Sequence, residues 1–126
     1  MVVDTSVLLA VLFAEEHGTW AAERLNEFAS ELCMSTVNLA ETLILIRDRQ
    51  PERADELTEI VFAGGMLFVP PDAAQARLAA HARLAYPLNL GDCFAYALAV
   101  VRNDTILTMD TDFKATDRPV LLPNHR

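Results

Sequence analysis

Lysine is almost missing from this chain: Lys114 is the single example in 126 residues. Ten basic residues face 18 acidic ones, and the formal net charge is −8. That balance argues against a protein that grips nucleic acid through a broadly positive surface. It argues less against a metal-dependent enzyme, because acids gathered around divalent ions become a phosphate site in which the ions carry the local charge. Four glycines supply no glycine-rich phosphate loop, and there is no G-x-S-x-G nucleophile elbow. The histidines His17, His81 and His125 have no metal-ligand spacing. Cys33 and Cys93 form no C-x-x-C pair and read as reduced, buried thiols of a cytoplasmic protein. No apolar run reaches the ~18 residues of a membrane span. The opening Met1-Val2-Val3-Asp4 lacks the basic and apolar regions of a signal peptide. The length suits one domain over residues 1–126.

What is present is a regular alternation of two kinds of segment. Val2-Val3 reads as a short strand, and residues 5–15 as an apolar helix that Asp4 or Thr5 caps. Trp20, Leu25 and Phe28 mark the inner side of a second helix, with Glu23 and Glu27 on its wet side. A strand at 32–34 precedes a helix at 37–49, capped from Ser35-Thr36. Pro51 opens a fourth helix from a first-turn position, where its missing N–H is harmless, and Gly64-Gly65 closes it. A third strand at 66–69, an alanine-rich helix at 73–86, a helix from Gly91-Asp92 to Arg102 and a fourth strand at 105–109 follow. Residues 120–122, bounded by Pro119 and Pro123, suit an edge strand. Strands alternating with helices predict an α/β fold, a three-layer α/β/α sandwich on a mostly parallel sheet of four or five strands. In such sheets ligands lie outside the carboxyl ends of the strands.

Acids collect at that edge. Asp4 follows the first strand, Asp110 and Asp112 follow the fourth, and Asp92 begins a helix whose start faces the same side. Glu41 sits among Val37, Leu39, Ala40, Leu43, Ile44 and Leu45, and a carboxylate among such neighbours is costly unless it is paired, protonated or bound to a cation. Taken singly, Asp4 and Asp92 suit helix caps and Asp110 and Asp112 suit turns. Taken together, four or five carboxylates converging on one point, with one lysine in the chain, call for hard divalent cations such as Mg²⁺ or Mn²⁺. Arg47, Arg49 and Arg53 form a solvated basic face or a phosphate contact. Leu8, Leu9, Leu12 and Phe13 suit core or a partner groove.

Four segments, VVDTS at 2–6, STVNLAE at 35–41, LGDCFAYALA at 90–99 and ILTMDTDF at 106–113, come in this order at these spacings. Through them the chain resembles the PIN-domain family, and within it the VapC-like toxins, along nearly its whole length. The resemblance implies a three-layer α/β/α domain that hydrolyses RNA phosphodiesters with Mg²⁺ or Mn²⁺; in-line attack by a metal-activated water would leave 5′-phosphate and 3′-hydroxyl ends. It maps Asp4, Glu41 and Asp92 onto the core acids, Asp110 or Asp112 onto the fourth, and Ser6 onto a hydroxyl that orders the site. It also implies a homodimer silenced by a small VapB-like antitoxin whose tail enters the active-site groove. The alternative is a PIN fold that only binds a partner protein or RNA.

Overall fold

The structure, a computed structural model, describes residues 1–124; His125, read above as a histidine without ligand spacing, lies outside the described residues. The strands are β1 (Val2–Val3), β2 (Cys33–Ser35), β3 (Leu67–Val69), β4 (Ile106–Leu107) and β5 (Val120–Leu121). The helices are α1 (Thr5–Leu12), α2 (Gly18–Glu27), α3 (Thr36–Arg49), α4 (Ala54–Ala63), α5 (Ala73–Ala85) and α6 (Leu90–Arg102). The strands form one sheet in the order β3-β2-β1-β4-β5, and every pairing is parallel. The expected four or five mostly parallel strands are thus five, all parallel. Each strand is shorter than a mean strand because the helices begin and end almost at its termini.

Alternation along the strands builds the two flanking layers. Successive side chains of a strand point to opposite faces, so Val2, Cys33 and Ile106 enter one core with α5 and α6. Val3, Met34 and Leu107 enter the other, with α1, α3 and α4. Trp20, Leu25 and Phe28 pack against this second core, as their spacing predicts. No helix among the described residues is long and apolar enough to cross a membrane.

The starts of α4 and α6, the cap of α1 and the end of α1 differ from expectation; Pro51–Arg53 forms its own turn of 3₁₀ helix, and α4 begins after it at Ala54. Helix α6 begins at Leu90, and its cap is Asn89, whose side chain accepts from the Asp92 N–H at 2.8 Å. Asp92 therefore does not cap the helix. Asp4 does occupy the cap position of α1 but makes no side-chain cap hydrogen bond. Helix α1 stops at Leu12 rather than at 15, because the chain turns sharply through left-handed Ala14 (φ 50°) and His17 (φ 64°). Gly18 lets this turn close: a Cβ there would lie 2.6 Å from the Ala10 carbonyl oxygen. Ser35 caps α3 as read, accepting from the Val37 N–H at 3.2 Å.

The order β2-β1-β4 places a topological switch between β1 and β4. The chain winds outward from β1 through β2 to β3, then returns to the other side of β1 as β4, leaving a crevice at the carboxyl ends of that pair. The turn of 3₁₀ helix that follows β4 (Thr111–Ala115) is anchored by Phe113, fully buried in the core beneath α6. Phe113→Ala is expected to lower unfolding free energy by about 3–5 kcal/mol, measured by urea denaturation. A loss near that of a surface substitution would show that this turn is not fastened through the core.

Candidate active site

The crevice is walled by β1 and β4 on one side and by α3 and α6 on the other. Register puts Val3 opposite Leu107, so the next residues, Asp4 and Thr108, meet where the strands end. Asp4 is 2 % exposed. Its Oδ1 accepts from the Ser6 hydroxyl at 2.6 Å and its Oδ2 from the Thr108 hydroxyl at 2.7 Å. Each hydroxyl has one hydrogen, and both are spent on Asp4. The oxygens then serve as acceptors, Ser6 Oγ for the Met109 N–H and Thr108 Oγ1 for the Asp110 N–H, both at 2.9 Å. The carboxylate of β1 and the backbone that carries Asp110 are thereby tied together through two small side chains.

The opposite wall is held by Asn38. Asn38 is fully buried, and its amide nitrogen donates to Glu41 Oε1 at 2.9 Å and to the Gly91 carbonyl at 3.1 Å. The Thr5 hydroxyl donates to the same Glu41 oxygen at 2.9 Å. Gly91 leaves room for this arrangement, because a Cβ there would collide with the Glu41 carboxylate and displace it. Half-buried Glu41 thus rests against the first turn of α6, next to Asp92.

The acids feel one another. Burial pushes the Asp4 carboxyl up to about 6; the Ser6 and Thr108 hydroxyls oppose the rise and the Asp110 charge adds to it. Asp92 is pushed up to about 7, first by burial and then by the charges of Asp4, Asp110 and Glu41. Asp110 Oδ1 accepts from the Asp112 N–H at 2.8 Å, while Asp112 itself is exposed on the 3₁₀ turn. Of the two acids after β4, then, it is Asp110 whose charge reaches Asp4 and Asp92. The five sequence-selected acids sort into a group of four and one outlier. They also ring the crevice rather than meet at a point: among the described residues no three Asp, Glu, His or Cys side chains are close enough to clasp an ion as they stand.

Those four acids have no ion pair with any basic side chain among the described residues. An all-oxygen donor set in which Asp4 and Asp92 are raised and no acid has a basic partner among the described residues fits a hard divalent ion. The basic cluster is engaged elsewhere, Arg47 with Asp55, Arg49 with Glu15 and Arg53 with Glu56, on exposed surface. Sequence reasoning missed Thr5, Asn38, Gly91 and Thr108. Asn38 had a detectable signal, since residues three apart on a helix are neighbours and Asn38 precedes Glu41 by that interval. Thr108 had none, because its partner Asp4 follows a different strand, 104 residues away in the chain.

Residues 1–119 match the PIN domain family. A VapC ribonuclease from Mycolicibacterium smegmatis is 37% identical over 131 residues, covering 93% of this chain and 96% of that protein. Ribonuclease VapC42 from Mycobacterium tuberculosis is 33% identical over 126 residues, covering 93% and 95%. In fold, the chain superposes on VapBC2 of Rickettsia felis, solved bound to a promoter DNA fragment, with TM-score 0.78 at 15% identity over 96% of each chain. The chain belongs to the PIN-domain family, in its VapC ribonuclease branch.

The raised carboxyls make metal-free stability depend on pH. Asp4 and Asp92 bind their protons more tightly when folded than at the ordinary value of 3.8, so in that interval the folded state carries more protons than the unfolded one. Their contribution to stability is greatest below 3.8 and is lost as pH rises through about 6 and about 7. In EDTA, the contribution of these two groups to the melting temperature should fall between about pH 4 and about pH 7. Asp92→Asn should flatten that fall, and Mn²⁺ should oppose it at the alkaline end. Identical pH profiles for wild type and Asp92→Asn would refute the electrostatic account.

Proposed function

We propose that the chain is a divalent-metal-dependent endoribonuclease and the toxin of a VapBC-type toxin–antitoxin pair. The observation that carries this reading is the set of mutually repelling carboxylates without a cationic partner, at the switch point of a parallel sheet. Asp4 and Asp92, with Glu41 and Asp110, would hold Mg²⁺ or Mn²⁺. When bound, the ion supplies the positive charge that a phosphodiester and its leaving oxygen require, and acidifies water for attack. Ser6 and Thr108 fix the orientation of the Asp4 carboxylate, one hydroxyl on each oxygen. Thr5 and Asn38 hold Oε1 of Glu41, which leaves its Oε2, an oxygen that accepts no hydrogen bond within the described residues, to reach the ion. Asp110 adds charge to the ion side of the site, and Asp112 stands outside it.

The partner reading has separate support. Between α1, α2 and α4 lies an apolar cavity of about 190 Å³, lined by Leu8, Val11, Leu12, Leu25, Ile60 and Met66 among others. Such a surface suits the apolar side of a small antitoxin rather than RNA, and Leu8 and Leu12 are among the residues whose sequence pattern already allowed a partner groove. A homodimer is proposed on family membership alone.

Asp92→Asn tests the enzyme directly, because the α6 cap is Asn89 and the substitution leaves it untouched. Purified, antitoxin-free protein should cleave RNA with Mg²⁺ or Mn²⁺ and stop in EDTA. The variant should fold normally and lose more than the about 10–100-fold that follows loss of an outer-shell partner. A folded, antitoxin-free wild type that is inert on total cellular RNA with either metal would leave a binding-only PIN fold.

A further inference from the structure

Glu41 is held from one side only. Both of its hydrogen-bond donors, the Thr5 hydroxyl and the Asn38 amide, address Oε1 at 2.9 Å. One carboxylate oxygen accepts both donors, and the other, which lies against the Gly91 backbone, accepts no hydrogen bond among the described residues. The same Asn38 amide reaches across to the Gly91 carbonyl at 3.1 Å, and Gly91 is bonded to Asp92. Asn38 therefore spans two helices and sets the spacing between two acids that come from different parts of the chain.

This placement is not cheap for the fold. Asn38 is fully buried, and its side-chain oxygen has no hydrogen-bond partner among the described residues. A buried, unsatisfied amide oxygen is destabilising, and an apolar residue would avoid that penalty if packing α3 against α6 were the only requirement. The donors of the amide, not its volume, account for its presence. Gly91 completes the arrangement by leaving room for the carboxylate, whose oxygens would otherwise meet a Cβ.

We propose that Asn38 is a positioning residue for the metal site, clamping Glu41 through Oε1 and fixing its distance from Asp92 through the Gly91 carbonyl, so that Glu41 offers a single oxygen, Oε2. The inference rests on the reading of the site as a metal-dependent one. Asn38 touches neither ion nor substrate; it acts through Glu41.

A double-mutant cycle separates that role from ordinary packing. Mn²⁺ affinity is measured by titration calorimetry on the full chain for wild type, Asn38→Ala, Glu41→Ala and the double variant. Asn38→Ala is expected to weaken Mn²⁺ binding about tenfold or more in the wild-type background. In the Glu41→Ala background the same change should weaken it by less than about twofold. Thr5→Val, a near-isosteric change at a half-buried position, should show the same dependence on Glu41 and keeps the test decisive should Asn38→Ala fail to fold. Equal losses in both backgrounds, or no loss for either variant, would overturn the clamp while leaving the metal site standing. A wild type that binds no Mn²⁺ would overturn the metal site and the clamp together.

Discussion

A carboxylate buried between two parallel strand ends is the constraint around which this molecule is organised. Asp4 is out of water, unpaired with any cation among the described residues, and next to other acids. Stripping a carboxylate of solvent is tolerable only when its oxygens find donors. The two hydroxyls of Ser6 and Thr108 meet that need from both sides, and their remaining lone pairs bind backbone N–H groups beyond β4. One local need therefore stitches the start of α1 to the end of β4 and sets where Asp110 stands.

The helical wall obeys a related rule with different means. Glu41 comes from α3 and Asp92 from α6, and the two helices are brought together by Asn38 and by the absence of a side chain at Gly91. Capping by Asn89 leaves the Asp92 carboxylate without a structural duty at the helix start. A chain in which Asp92 itself capped α6 would spend on the fold the charge that the crevice otherwise keeps.

Charge elsewhere is arranged so as not to compete. The arginines of the α3–α4 region are matched by surface acids, and such exposed pairs add little stability. Their effect is to leave the crevice acids without a protein cation. The apolar cavity lies beside the core on the α1, α2 and α4 side, so α1 lends its first turn to the acids and its later turns to the cavity wall.

Much of this was legible in the linear order of residues. Alternating short β-branched runs and helical segments suffice for a parallel three-layer fold, because period and length constrain each element locally. Acids placed just after strands had to reach the carboxyl edge, since a residue that follows a parallel strand lies there by connectivity. Glu41 stood out because its neighbours are apolar. Three matters were decided only by tertiary structure. Asp110 and Asp112 are equivalent as neighbours in a turn, and only the direction of the 3₁₀ helix turns one toward Asp4 and the other to solvent. The cap of α6 fell to Asn89 rather than Asp92, because one residue's shift in helix start exchanges a structural side chain for a chemical one. The partners of Asp4 and Glu41, Thr108 and Thr5, lie 104 and 36 residues away. Hydrogen bonds over such separations depend on which elements become neighbours, and local periodicity carries no record of that.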